Sequence, residues 1–304
     1  MTALEGINSA MVTPLTPGGE ELDEDALRSL VDRTIDEGVD GLVPCGGTGE
    51  FPALSHQERR RVVEVVCEQA GGRVPVIAHT GAGSTAEAIA LSQHAEASGA
   101  DAVMLIIPFY EPITSVEVSH YYAAVSKAVD LPLIAYNHPG STGYNQTSLL
   151  LRQLSRDIEN LAYAKDSSGD LGQLFEHTCG DDCGITVLNG MDSLLGPALL
   201  LGVKGAIMGG VNFLCPAFAQ MMRAAREDDV ARLVDLWRAM YPIAHFLEVH
   251  PYIPAVKAGC EIIGHPAGPA RSPMQPLSTA EYTQLESLLA SFFEVTSAST
   301  GVRA

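Results

Sequence analysis

Lys165 closes an apolar run, LAYAKDSSGD from Leu161 to Asp170, whose first residues favour a β-strand and whose small polar tail favours a turn. A lysine at the end of a buried strand sits among low-dielectric neighbours, which disfavours its charged form and draws its proton affinity down from the ordinary value of ~10.4. The neutral amine that results can attack a ketone and form a Schiff base, and the protonated imine then serves as an electron sink for a bond at the adjacent carbon. The plain alternative is an ammonium that escapes to solvent or pairs with Asp166. The chain has only four lysines, so each position can be compared. Lys127 falls near the end of a helix starting at Thr114, where a cation complements the helix dipole. Lys204 precedes a strand, and Lys257 lies in the C-terminal region about where a helical surface residue would stand.

Imine chemistry requires a proton shuttle, and the phenol of Tyr136 ends the apolar run just before that of Lys165. A buried tyrosine that merely caps a core is the competing reading. A keto acid would also need its carboxylate held. CGGTGE, from Cys45 to Glu50, offers consecutive backbone amides with little side-chain obstruction, plus the Thr48 hydroxyl. A plain tight turn is the commoner explanation of such glycines, and no phosphate-binding GxGxxG or GxxxxGK pattern is present. HTCGDDC, from His177 to Cys183, has a loose metal-ligand look, but its CxxxC spacing lacks a second matching pair, and no metal is expected.

The elements that must position these residues recur along the chain. Eight short apolar runs begin near Ile7, Gly41, Pro75, Ala102, Leu131, Leu161, Ile185 and Gly205, each bounded by Gly, Pro, Asp or Ser, as suits strands buried on both faces of a parallel sheet. Between them lie helical patterns opened by [ST]xxE boxes at Ser55–Glu58, Ser84–Glu87 and Thr114–Glu117. The alternation predicts an α/β fold, most economically a (β/α)8 TIM barrel over residues 1–228, with an open doubly wound sheet as the other arrangement. Residues 229–304 are expected to form a C-terminal helical region packed on the barrel, with helices over 230–249, 253–263 and 278–295. In such a barrel, functional side chains stand at the C-terminal ends of strands. That filter selects the GGTGE loop, Tyr110, Tyr136 with Asn137 and His138, Lys165 with Asp166, Gly190 with Asp192, and MGGVN after Ile207.

Composition narrows the partners. The 304 residues are 46% hydrophobic and carry a formal charge of −19, which repels nucleic acid and anionic membrane surfaces. No run approaches the ~20 apolar residues of a membrane span, and the N-terminus lacks a basic signal region, so a cytoplasmic protein is expected. The six scattered cysteines then read as reduced thiols.

The segments GGTGEFPALS at 46–55, PFYEP at 108–112, YNHPGSTG at 136–143, KDSSGD at 165–170 and KAGCEIIGHPAGPARSPMQPL at 257–277 together resemble the dihydrodipicolinate synthase / N-acetylneuraminate lyase family of class I aldolases. The resemblance spans nearly the whole chain. It implies a homotetrameric (β/α)8 barrel that forms a pyruvate-type Schiff base on Lys165 without a cofactor. It further implies that Tyr136 transfers protons, that Thr48 with the amides around Gly47 and Gly49 binds the keto-acid carboxylate, and that Tyr110 completes a tyrosine pair, often across a subunit interface. Ile207 matches a residue packing near the keto acid, and Gly190 and Asp192 match a loop that contacts substrate in the lyase branch.

Two departures separate the chain from the synthase branch. Gly47 stands where the synthase typically has a hydroxyl linking the two tyrosines, and Ser141 stands where it has an arginine for the second substrate's carboxylate. A serine does not replace a bidentate guanidinium. The GGTGEF loop also resembles a ketodeoxyglucarate dehydratase branch, but His138 replaces that branch's arginine; His138 is a candidate substrate ligand or general acid, with a plain loop histidine as the equal alternative. The expectation is a lyase or aldolase joining or cleaving a 2-keto acid such as pyruvate and an aldehyde, closer to the keto-deoxy-sugar-acid branches than to the true synthase. Dehydration through the same imine, the synthase reaction itself, and a non-catalytic keto-acid-binding barrel are the alternatives.

Overall fold

The computed structural model describes residues 4–179 and 184–300. Eight strands run in chain order as β1 (Gly6–Ala10), β2 (Gly41–Val43), β3 (Ile77–His79), β4 (Ala102–Ile106), β5 (Leu133–Asn137), β6 (Leu161–Asp166), β7 (Thr186–Asn189) and β8 (Gly205–Met208). Seven fall within the predicted apolar runs, and β1 begins one residue ahead of its run. They pair in parallel in the order β2-β1-β8-β7-β6-β5-β4-β3, and a parallel bridge between Leu42 and Val76 joins the two ends, closing the sheet into the barrel rather than the open alternative.

The helices are α1 (Glu24–Asp36), α2 (His56–Ala70), α3 (Thr85–Ala97), α4 (Ser115–Ser126), α5 (Pro139–Thr142), α6 (Ser148–Asp157), α7 (Leu171–Cys179), α8 (Leu195–Leu200), α9 (Val211–Arg226), α10 (Val230–Val249), α11 (Tyr252–Ile262) and α12 (Thr279–Thr300). Their starts follow the sequence signals. Ser55 with Glu58 and Thr114 with Glu117 form reciprocal capping boxes, whereas Ser84 caps α3 through its hydroxyl alone. The last three helices lie close to the segments expected to be helical.

Strand alternation divides the apolar side chains between two cores. Ile134 and Tyr136 of β5 join Val43, Ile77, Met104, Leu188 and Ile207 inside the barrel, while Leu133 and Ala135 pack outward against the helices. The same alternation sends Lys165 inward and its neighbour Asp166 outward. The Cys183 end of HTCGDDC lies outside the described residues. Among the described residues no group of three or more His, Cys, Asp or Glu could hold a metal ion, and no helix is long and apolar enough to cross a membrane.

Candidate active site

Tyr136 and Lys165 are paired neighbours in the β5–β6 register. Each is about 5% exposed, and the Lys165 Nζ lies 4.2 Å from the centroid of the Tyr136 ring. The amine pairs with no carboxylate among the described residues. Asp166, the competing partner, is occupied on the outer face. Its Oδ1 accepts from the Ser168 amide at 2.7 Å and from Asn137 Nδ2 at 3.2 Å, and its Oδ2 accepts from Gln173 Nε2 at 3.0 Å. The network continues to Tyr136, whose carbonyl accepts from Gln146 Nε2 at 2.8 Å, with Gln146 in turn accepting from the Tyr122 hydroxyl at 2.9 Å. The backbones carrying the amine and the phenol are therefore fixed by a buried polar lattice outside the barrel, which leaves both side chains free for the interior.

Gly190 follows β7 beside this pair. A Cβ placed there would stand 2.1 Å from Ser167 Oγ and 2.9 Å from Lys165 Cε, so glycine at this position clears the lysine's path. Ile207 is fully buried among the barrel-interior residues with Tyr136.

In the 45–50 loop, Glu50 donates its amide to the Gly47 carbonyl, while the amides of Gly47, Thr48 and Gly49 make no hydrogen bond to another described residue. Unpartnered amides in succession are what an anion cradle requires. Thr48 approaches the β8–α9 turn, where a Cβ on Gly209 would come within 3.1 Å of its methyl group.

Two imidazoles flank Tyr136 edge-on. The His138 ring is 5.7 Å away and the His79 ring 6.2 Å away, centroid to centroid. Burial lowers the proton affinity of His138; burial, then the Arg59 charge, holds His79 well below the imidazole range. His138 Nδ1 accepts the Ser141 amide at 3.2 Å, which leaves Nε2 to carry the proton of the neutral ring. His79 was not among the sequence candidates, although it ends β3 and the strand-end filter applies to it equally.

Two expectations change, those for Lys257 and Asp192, while that for Tyr110 concerns an assembly. Tyr110 is 89% exposed and makes no hydrogen bond or ring contact with Tyr136 or Lys165, so this chain by itself does not bring the tyrosine pair together. Lys257 is no surface residue: it is buried, 2.7 Å from Glu50 Oε1. Asp192 is buried with both oxygens engaged, Oδ1 by the Gly210 amide at 3.0 Å and Oδ2 by the Tyr252 hydroxyl at 2.6 Å, so it braces the β7 and β8 loops against α11 instead of presenting a free carboxylate.

Burial pushes Asp192 from the ordinary 3.8 up to about 6, against the pull of the Tyr252 and Gly210 donors. A carboxyl with a raised folded value binds its proton more tightly when folded. Its favourable contribution is therefore complete below about pH 4 and is lost as pH rises through 6, a change of roughly 3 kcal/mol. The stability of the wild type relative to Asp192→Asn, measured by denaturant melts from pH 4 to 7, is expected to fall across that window. A pH-independent difference would contradict the burial account.

A sequence model described as the dihydrodipicolinate synthetase family matches residues 3–292. Over 95% of its length the chain is 42% identical to a 4-hydroxy-tetrahydrodipicolinate synthase of Thermomicrobium roseum, covering 94% of that protein. A second synthase of that name, from Methanospirillum hungatei, is 38% identical over 95% of this chain and 99% of its own. Among solved structures, the E. coli K12 prophage protein YagE, of the dihydrodipicolinic acid synthase family and in complex with pyruvate, superposes with a TM-score of 0.91 at 31% identity, covering 96% of this chain and 99% of that one. The chloride-inhibited dihydrodipicolinate synthase of Acinetobacter baumannii, complexed with pyruvate, gives the same TM-score of 0.91 and 31% identity, again over 96% and 99% of the two chains.

Proposed function

The chain belongs to the dihydrodipicolinate synthetase family, and from that premise we propose that it is a class I lyase that condenses Lys165 with pyruvate or a related 2-keto acid and makes or breaks a carbon–carbon bond to an aldehyde. The observation that carries this reading is the buried Lys165 amine, 4.2 Å over the Tyr136 ring and unpaired with any carboxylate among the described residues. The amine nitrogen attacks the ketone carbon, the carbinolamine loses water, and the resulting iminium gives up a proton at the adjacent carbon. The enamine so formed attacks the aldehyde carbon in the synthetic direction; in cleavage the same steps run backwards. Tyr136 moves the protons, and the amides of Gly47, Thr48 and Gly49 with the Thr48 hydroxyl hold the carboxylate. In an oligomer, the exposed Tyr110 would enter a neighbouring subunit's site, and the homotetramer is the assembly we propose.

For the second substrate the α5 turn favours a neutral, hydroxyl-rich aldehyde. Ser141 is exposed and His138 is held neutral, so this turn offers hydrogen bonds rather than a guanidinium fork for a carboxylate. A 2-keto-3-deoxy sugar acid is then the substrate cleaved. The synthase reaction is the second reading, favoured by the 42% identity to the T. roseum enzyme. Borohydride reduction with pyruvate is expected to leave a covalent adduct on the protein. Pyruvate release from a panel of 2-keto-3-deoxy acids, set against pyruvate consumption with a semialdehyde acid, separates the two readings. Loss of water without pyruvate release would instead identify a dehydratase, and absence of the adduct would sink the imine mechanism.

A further inference from the structure

The C-terminal region reaches the carboxylate cradle through a buried ion pair. Glu50 directly follows Gly49 and has a left-handed backbone with φ of 60°, a conformation strained for a non-glycine residue and held only where its surroundings impose it. Its carboxylate is fully buried. Oε1 lies 2.7 Å from Lys257 Nζ on α11, and Oε2 accepts the Arg271 amide at 2.7 Å. Lys257 Nζ also donates to the Pro269 carbonyl at 2.7 Å, which ties the 264–277 connector into the same knot.

Arg271 then grips the surroundings of the loop. Its guanidinium donates to the carbonyls of Gly19 at 3.2 Å, Glu20 at 2.9 Å and Ala53 at 3.1 Å, and pairs with Glu58 on α2 at 2.8 Å. The other end of α11 holds the facing wall, since the Tyr252 hydroxyl accepts from the Gly209 amide at 3.0 Å and donates to Asp192 at 2.6 Å. One short helix therefore braces both the 45–50 loop and the loops after β7 and β8.

A buried ion pair is weak evidence for stability as such, because desolvation offsets much of its attraction and apolar residues of equal volume often serve as well. What the pair supplies is direction. It fixes the strained Glu50 backbone, and that residue's neighbours are the amides of Gly47, Thr48 and Gly49. We propose that Glu50 and Lys257 are positioning residues through which the C-terminal segment holds the cradle amides in the orientation that binds the keto-acid carboxylate. This rests on the keto-acid reading above.

The test is borohydride trapping at graded pyruvate concentrations in the full-length protein, comparing wild type, Glu50→Gln and Lys257→Met, with melting temperatures measured alongside. The Glu50→Gln side chain keeps the volume and most of the hydrogen bonding, so it provides a folded variant should Lys257→Met not fold. The expected result is a half-saturating pyruvate concentration raised on the order of tenfold or more, with the trapping rate at saturation changed by less than about threefold. Restoration of part of that affinity in the double variant, which leaves no unpaired buried charge, also supports coupling. Lowered melting temperatures with an unchanged half-saturation point in the folded variants would show a purely structural pair and overturn the proposal. No adduct in the wild type would instead refute the imine reading itself, and this proposal with it.

Discussion

Lys165→Ala is expected to abolish the borohydride-trapped pyruvate adduct and to lower kcat by roughly 10⁴-fold or more, a barrier increase of at least about 5 kcal/mol. The size follows from the absence of a substitute amine. Lys127 caps the C-terminal end of α4, Lys204 is exposed with its Nζ 3.7 Å from Glu5, and Lys257 is committed to Glu50. None of the three can reach a ketone held beside Tyr136. Lys165→Arg is the companion variant. It keeps a cation and much of the volume inside the barrel, yet a guanidinium does not condense with a ketone at neutral pH, so it too is expected to form no adduct. Mass spectrometry of the reduced protein reads both results directly. An adduct of wild-type yield in either variant would move the chemistry to another residue.

The parts of the fold visible in the sequence were those fixed by local physics. An apolar run bracketed by glycine, proline or aspartate is enough to mark a doubly buried strand, and each of the eight strands coincides with one to within a residue. A Ser or Thr followed by Glu at the third position marks a helix start because the two side chains satisfy amides within a single turn. Residues whose roles depend on distant partners were less visible. Nothing near Lys257 indicates that α11 is buried continuously from Pro254 to Cys260 or that the amine meets Glu50, which is brought there by barrel closure. Asp192 was assigned toward substrate because its partners, Tyr252 and the Gly210 amide, belong to later elements. Tyr110 depends on a partner beyond the chain: its ring is exposed here, as a residue paired across a subunit interface would be. Lys165 was readable because strand alternation alone separates it from Asp166.

Tyr136→Phe separates a proton-transfer role from a packing role for the phenol. The ring's contacts do not depend on the hydroxyl: Lys165 Nζ lies over its face, His79 and His138 meet it edge-on, and Gln146 holds its backbone carbonyl. The hydroxyl itself makes no hydrogen bond to another described residue. A buried tyrosine retained for structure ordinarily ties its hydroxyl to a polar partner, and here the atom is left for something that arrives with the substrate. Phenylalanine should therefore preserve the fold and the melting temperature while removing the group that carries protons to and from the carbinolamine and the imine. The expected loss is 10²- to 10⁴-fold in kcat, the usual range for a positioned acid–base group, with the half-saturating pyruvate concentration nearly unchanged because the cradle is intact. The adduct should still form, but slowly, so the trapping rate falls while its final yield at long times does not. Gly47 sharpens the comparison. With no hydroxyl at that position to take over the relay, the deficit should persist across the pH range instead of being rescued at high pH by a neighbouring group. A Tyr136→Phe protein with wild-type turnover would reduce Tyr136 to a wall of the barrel and leave the proton traffic to His138 or solvent.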